Sequence, residues 1–113
     1  MQATKILPRC CVLLAAHNGE DFIESQINTI LNQKGVEIEI IVSIDKSQDE
    51  TENILLNLGK INNNLKVTKI DKFGSAAKNF YSLIESIDTS GYDFIAFSDQ
   101  DDIWLDDKLI NAI

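Results

Sequence analysis

A chain of 113 residues, 44% hydrophobic and 25% charged, has the balance of an ordinary globular domain and is long enough to bury a core. Its formal net charge of −8, with only 10 scattered Lys and Arg, excludes a phosphate-binding nucleic-acid surface and suits the binding of cations. No run approaches the roughly 18 apolar residues of a membrane span or forms a signal-peptide core, and the adjacent Cys10 and Cys11 cannot bridge within ordinary disulfide geometry. A soluble, reduced, cytosolic chain is expected.

Cys11 to Ala16 is a short continuous apolar run, the pattern of a strand covered on both faces, and His17-Asn18-Gly19 ends it. Phe22, Ile23, Ile27, Ile30 and Leu31 then recur at helical spacing, which predicts an amphipathic helix over 20–33 with Gly35 as its cap. Ile38 to Ile44 is rich in β-branched residues and reads as a second strand. Ser47 or Asp49 can cap the next helix, over 50–60, whose apolar face is Ile54, Leu55, Leu58 and Ile61. After Asn62-Asn63-Asn64, Leu65 to Ile70 alternates as a half-exposed strand. A helix over 75–87 follows, with Ala76, Ala77, Phe80, Leu83, Ile84 and Ile87 on its buried side. Tyr92 to Phe97 is the fourth strand, and a last helix starts near Leu105 behind Asp106 and Asp107, whose charges suit its first turn. Trp104 reads as a packing residue.

This β-α-β-α-β-α-β-(α) order predicts an α/β fold, a doubly wound, Rossmann-like parallel sheet in an α/β/α sandwich. Such sheets bind ligands outside the carboxyl ends of their strands. With the first strand between the second and fourth, His17-Asn18, Asp45 to Ser47 and the acidic run Asp99-Gln100-Asp101-Asp102 line one crevice. Carboxylates so crowded repel unless a cation offsets them, and hard oxygen ligands suit Mg²⁺ or Mn²⁺. The turn after the first strand has neither a Gly-x-Gly-x-x-Gly nor a Walker lysine, so phosphate binding at this crevice falls to a metal.

Four motifs, Ala16-His17-Asn18-Gly19-Glu20, Asp45 to Thr51, Gly74-Ser75-Ala76-Ala77-Lys78-Asn79 and Ser98-Asp99-Gln100-Asp101-Asp102-Ile103-Trp104, together resemble family 2 of the glycosyltransferases. These are inverting enzymes of the GT-A fold, and the resemblance, over 11–113, is nearest to bacterial rhamnosyltransferase-like members. It implies that Asp45 meets the pyrimidine base and that the loop of Ala16, His17, Asn18 and Glu20 lies against base and ribose. Ser47, Lys78 and Asp99 fall among the implied nucleotide contacts, Asp101 is the implied ligand of Mn²⁺ or Mg²⁺, and Asp102 assists it. Family members often have Thr-Tyr in place of Ala16-His17 and Asp-Asp-Gly-Ser in place of Ile44-Asp45-Lys46-Ser47. A loop hydrogen bond fits His17 as well as a ligand contact does, and a solvated lysine fits Lys78 equally.

The resemblance also implies a division of labour. Residues 1–113 correspond to the nucleotide-sugar-binding part, while the general base and the acceptor site belong to a later half. The donor is then a UDP- or dTDP-linked sugar and the acceptor a glycan or lipid-linked glycan, at the inner face of the membrane in a longer parent. Alone, the chain is expected to have little transferase turnover and an exposed sheet edge open to self-association. The alternative is a non-catalytic nucleotide-sugar or metal-binding module.

Overall fold

A computed structural model describes residues 6–98 and 104–112 of the chain. The first strand, β1 (Arg9–Ala16), is buried at every position except Arg9. An apolar run of this kind needs cover on both faces, and the centre of a parallel sheet supplies it. β2 (Glu37–Asp45) pairs with one side of β1, β3 (Leu65–Asp71) with the outer side of β2, and β4 (Phe94–Ser98) with the other side of β1. The order is β3-β2-β1-β4 and each pairing is parallel, so the first strand does lie between the second and fourth. A register shift between Val42 and Ser43 lets Asp71 finish level with Asp45.

Three helices, α1 (Ile23–Leu31), α2 (Thr51–Ile61) and α3 (Ala76–Ser86), connect the strands, and α4 (Lys108–Ala112) follows β4. On one face of the sheet Val12, Leu14 and Ala16 share a core with Ile23, Ile27 and Ile30 of α1, Leu55 of α2, Trp104, and Leu109 of α4. On the opposite face Cys11, Leu13 and Ile41 pack with Leu83 of α3. Side chains alternate along a strand, so Cys10 and Cys11 point to opposite layers, and both are free and buried. Burial and the nearby Glu39 carboxylate push the Cys11 thiol up to about 11, which keeps it in its unreactive form.

The elements depart from the sequence reading in instructive places. α1 starts at Ile23 because the Gly19 carbonyl accepts from both Phe22 N (3.1 Å) and Ile23 N (2.8 Å), making a tight turn of the expected first helical residues. Gly35 does not cap that helix, which ends at Leu31; it sits in the turn into β2 at φ 75°, where a Cβ would meet Ile110 Cδ1 at 3.1 Å. On α3 the buried residues are Asn79 and Leu83, whereas Ala76, Ala77 and Ile84 are exposed. The helix lies mainly over β1 and β2, and Phe80 reaches sideways to Phe97 of β4, its ring edge-on at 5.9 Å. Ile61, at the end of α2, is also exposed.

β4 begins at Phe94 rather than Tyr92, since Thr89–Gly91 forms a single 3₁₀ turn that Tyr92 closes by donating its N–H to the Thr89 carbonyl at 3.2 Å. Among the described residues no strand pairs with the outer side of β4, and Phe94 and Phe97 are 40% and 55% exposed. An open edge without a charged residue in the strand is a template for further pairing.

Candidate functional site

At the carboxyl edge of the sheet a cleft of about 540 Å³ opens between the ends of β1 and β2 and the start of α3. Its buried lining comprises Ala15, Ala16, Asp45 and Asn79. Its exposed rim includes His17, Asn18, Lys46, Gln48, Lys72 and Ser75. The cleft opens on the face of the sheet that α3 covers, away from the larger core.

Asp45 ends β2 and is only 6% exposed. A buried carboxylate needs donors, and the loop before α3 provides them: Phe73 N donates to Asp45 Oδ1 at 3.0 Å and Gly74 N to Oδ2 at 3.2 Å. Gly74 presents its N–H at φ 84°, a conformation few other residues adopt. A carboxylate accepts about four hydrogen bonds, so each oxygen keeps capacity for a ligand N–H.

The loops after β1 and β2 are fastened to each other by side chain to backbone bonds. Asn18 N donates to Ser47 Oγ (3.0 Å), Gln48 N to Asn18 Oδ1 (2.9 Å) and Gly19 N to Thr51 Oγ1 (2.6 Å). Glu20 N donates to Asp49 Oδ2 (3.2 Å) while Glu50 N donates to Glu20 Oε2 (3.0 Å), so each loop caps the other. Asn18 stands at φ 46°, the left-handed region that Asn tolerates better than most residues.

Asp49 anchors this fastening, accepting from both the N–H and the hydroxyl of Thr51 as well as from Glu20. Burial pushes its pKa up, but the Thr51 and Glu20 hydrogen bonds outweigh that and hold the carboxyl below its ordinary value. A depressed native pKa stabilises the fold above the unfolded value of about 3.9, and the contribution is lost as pH falls through the native value. Urea midpoints measured from pH 7 down to pH 3 should therefore fall below about pH 4 in the native chain, and Asp49→Asn should flatten that part of the curve. An unchanged pH profile in the variant would remove Asp49 from the account.

The structure brings Ala16, His17, Asn18 and Asp45 of the expected nucleotide contacts to the cleft. Glu20 and Ser47 hold the loops together and do not line it. Lys78 is exposed on the first turn of α3, outside the lining, where its N–H donates to the cap oxygen Ser75 Oγ. The cations on the rim are Lys46 and Lys72, and neither forms an ion pair among the described residues. Asp99, Asp101 and Asp102 lie outside the described residues; β4 ends at Ser98, which pairs with Leu14 and immediately precedes them in the chain. Among the described residues no cluster of three His, Cys, Asp or Glu is arranged to hold a metal ion. No helix among them is long and apolar enough to cross a membrane.

Asn79 is a lining residue that the sequence reading passed over. Its Nδ2 donates to the Ser43 carbonyl at 3.1 Å and ties the start of α3 to β2. The available signal was weak: a polar residue four positions before Leu83, at the edge of the helix's apolar stripe.

Buried acceptors, small aliphatic walls and unpaired cations on the rim suit a flat heterocycle with an N–H and an attached anionic group. The chain is 49% identical over 104 residues to the dTDP-rhamnosyl transferase RfbG of Shigella flexneri, covering 88% of this chain and 35% of that protein. It is 29% identical over 102 residues to the putative teichuronic acid biosynthesis glycosyltransferase TuaG of Bacillus subtilis, covering 90% and 39%. The chain thus spans little more than a third of the length of these curated relatives. The crystal structure of S. aureus TarS 1-349 superposes with a TM-score of 0.76 at 25% identity, over 92% of this chain and 31% of that one. The family model of glycosyl transferase family 2 matches residues 11–113, from β1 to the last residue, and the chain belongs to that family.

Proposed function

We propose that residues 1–113 are the donor-binding part of an inverting glycosyltransferase, which moves a sugar from a UDP- or dTDP-linked donor to a glycan or lipid-linked acceptor. The observation that carries this reading is the cleft at the carboxyl ends of β1 and β2, with buried Asp45 inside it, in a chain of this family. Asp45 takes the base N–H, and His17, Asn18 and Ala16 border the base and ribose. Lys72 and Lys46, rather than Lys78, stand where a cation can meet the nucleotide. A dTDP-linked donor is supported by the likeness to a protein named as a dTDP-rhamnosyl transferase, and a UDP-linked one by TarS, solved in complex with UDP and with UDP-GlcNAc at 25% identity.

A divalent metal ion, Mn²⁺ or Mg²⁺, is held by Asp101 with Asp102 beside it, and Asp99 meets the ribose or diphosphate. The donor set is all hard oxygen, which fits either ion. When bound, the metal supplies charge stabilisation for the departing diphosphate. The general base and the acceptor site lie in the parent protein beyond these residues, and the parent works at the cytoplasmic face of the membrane; its membrane location, without the face, is supported by two relatives, 28% and 29% identical, whose names give undecaprenol-linked substrates.

Calorimetric titration with UDP and with dTDP, each with Mn²⁺, Mg²⁺ or chelator, tests the reading. Binding should require metal and disappear in Asp101→Ala. Nucleotide binding unaffected by chelator and by Asp101→Ala would overturn the metal assignment, and no binding by the folded chain would overturn the donor-site assignment.

A further inference from the structure

One chain of hydrogen bonds runs through the loops after β1, β2 and β3. Gln48 N donates to Asn18 Oδ1 at 2.9 Å, so the other end of that amide, Nδ2, is the group facing His17 Nε2 at 3.2 Å. An amide nitrogen only donates, which makes Nε2 the acceptor and places the ring proton on Nδ1. Nδ1 lies 3.4 Å from the Asp45 carbonyl oxygen, an acceptor that needs a proton on its partner. The other end of Asp45 receives Phe73 N and Gly74 N, so the sequence Gln48, Asn18, His17, Asp45, Gly74 links three sides of the cleft.

We infer that Asn18 is a positioning residue for the cleft: its amide, oriented by the Gln48 N–H, fixes His17 as the Nδ1–H tautomer and pins the imidazole between the ends of β1 and β2. The inference rests on the nucleotide reading of the cleft only for its consequence, which is that a pinned ring lowers the ordering cost of binding. The left-handed backbone at Asn18 belongs to the same device, since it turns the side chain back toward Gln48 and His17 together. The role acts through the neighbouring ring and adds to Asn18's own place on the border of the cleft, with the tautomer as the readout that a direct contact would not move.

His17 is the only histidine of the chain, so its ring nitrogens can be read without assignment by ¹⁵N–¹H correlation on the labelled chain at a pH where the ring is neutral. The expected spectrum has a pyrrole-like Nδ1 and a pyridine-like Nε2. Asn18→Asp keeps an acceptor for Gln48 N but offers Nε2 a carboxylate, so the tautomer should reverse. Asn18→Gly keeps the left-handed backbone and removes the amide, so the two tautomers should mix. UDP and dTDP affinities, titrated with Mn²⁺, should fall about tenfold in both variants, the size of losing one hydrogen bond's worth of order. An Nε2–H tautomer in the native chain would overturn the inference even if nucleotides bind. Reversal of the tautomer with unchanged affinity would overturn the positioning role. Failure of the native chain to bind either nucleotide would overturn the nucleotide reading and the affinity consequence with it, while the spectrum still decides the tautomer.

Discussion

Asp45→Ala is expected to reduce UDP and dTDP binding by at least about 100-fold and to destabilise the chain by about 2–3 kcal/mol. Both effects come from one carboxylate. It is buried at the end of β2, and its two oxygens hold the backbone N–H groups of Phe73 and Gly74. Hydrogen bonds to a charged group contribute about 1.5–3 kcal/mol each, but Gly74 is exposed, so its freed N–H finds water and the total sits near the lower end. The loop that carries Lys72 and Ser75 along the cleft loses its anchor at the same time. A chain of this size should melt about 10 °C lower. Asp45→Asn keeps one carbonyl oxygen and turns an NH₂ toward a second N–H, so it should fall between the two in stability. Titrations belong at a temperature where circular dichroism shows the variant folded. An Asp45→Ala chain that melts like the native protein and binds nucleotide equally well would refute both halves.

Why Asp45 could be read from the sequence while Asn79 and Lys72 could not is a matter of what local patterns encode. An acid that ends a β-branched run must stand at a strand's carboxyl end, and parallel sheets put ligands there. β1 was legible for a similar reason, because a strand buried on both faces leaves an uninterrupted apolar run. The helix over 76–86 is different. Ala76, Ala77, Phe80, Leu83, Ile84 and Ile87 span an ordinary apolar arc, but Ala76 and Ala77 at its edge carry little apolar surface, so periodicity establishes the helix and leaves its rotation open. Only the packing turns Asn79 inward and leaves Ile84 outside. The fastening of the first two loops joins residues about thirty positions apart through side chain to backbone bonds, and no periodicity records those. The expected cap of α2 by Ser47 or Asp49 falls instead on Glu50, without a side-chain bond, while Asp49 accepts from Thr51 N just inside the helix and from Glu20 N, a bond no local pattern records.

Leu14→Ala should be the most destabilising single truncation on the large-core side of the sheet, at about 3–5 kcal/mol. Leu14 is fully buried at the centre of the fold, pairing in register with Val42 on β2 and Ser98 on β4. It belongs to the cluster that joins α1, α2 and α4 to the sheet, so the cavity has structured walls that cannot close without moving three helices. Domains of this size hold about 5–15 kcal/mol in total, and among the described residues no strand pairs with the outer side of β4, so the loss is a large share. The melting temperature should drop by about 10–20 °C, while Leu105→Ala, at a residue 75% exposed, should stay within about 0.5 kcal/mol of the native chain. Because Leu14 points into the layer opposite the cleft, nucleotide affinity measured well below the variant's melting point should be unchanged. Leu14→Ala and Asp45→Ala then separate two roles: the middle of β1 supplies stability without touching the site, which the ends of β1 and β2 share. A Leu14→Ala chain within about 1 kcal/mol of native stability would show that β1 is not the packed centre described above, and one that loses nucleotide while still folded would show that the two layers of the sheet are coupled.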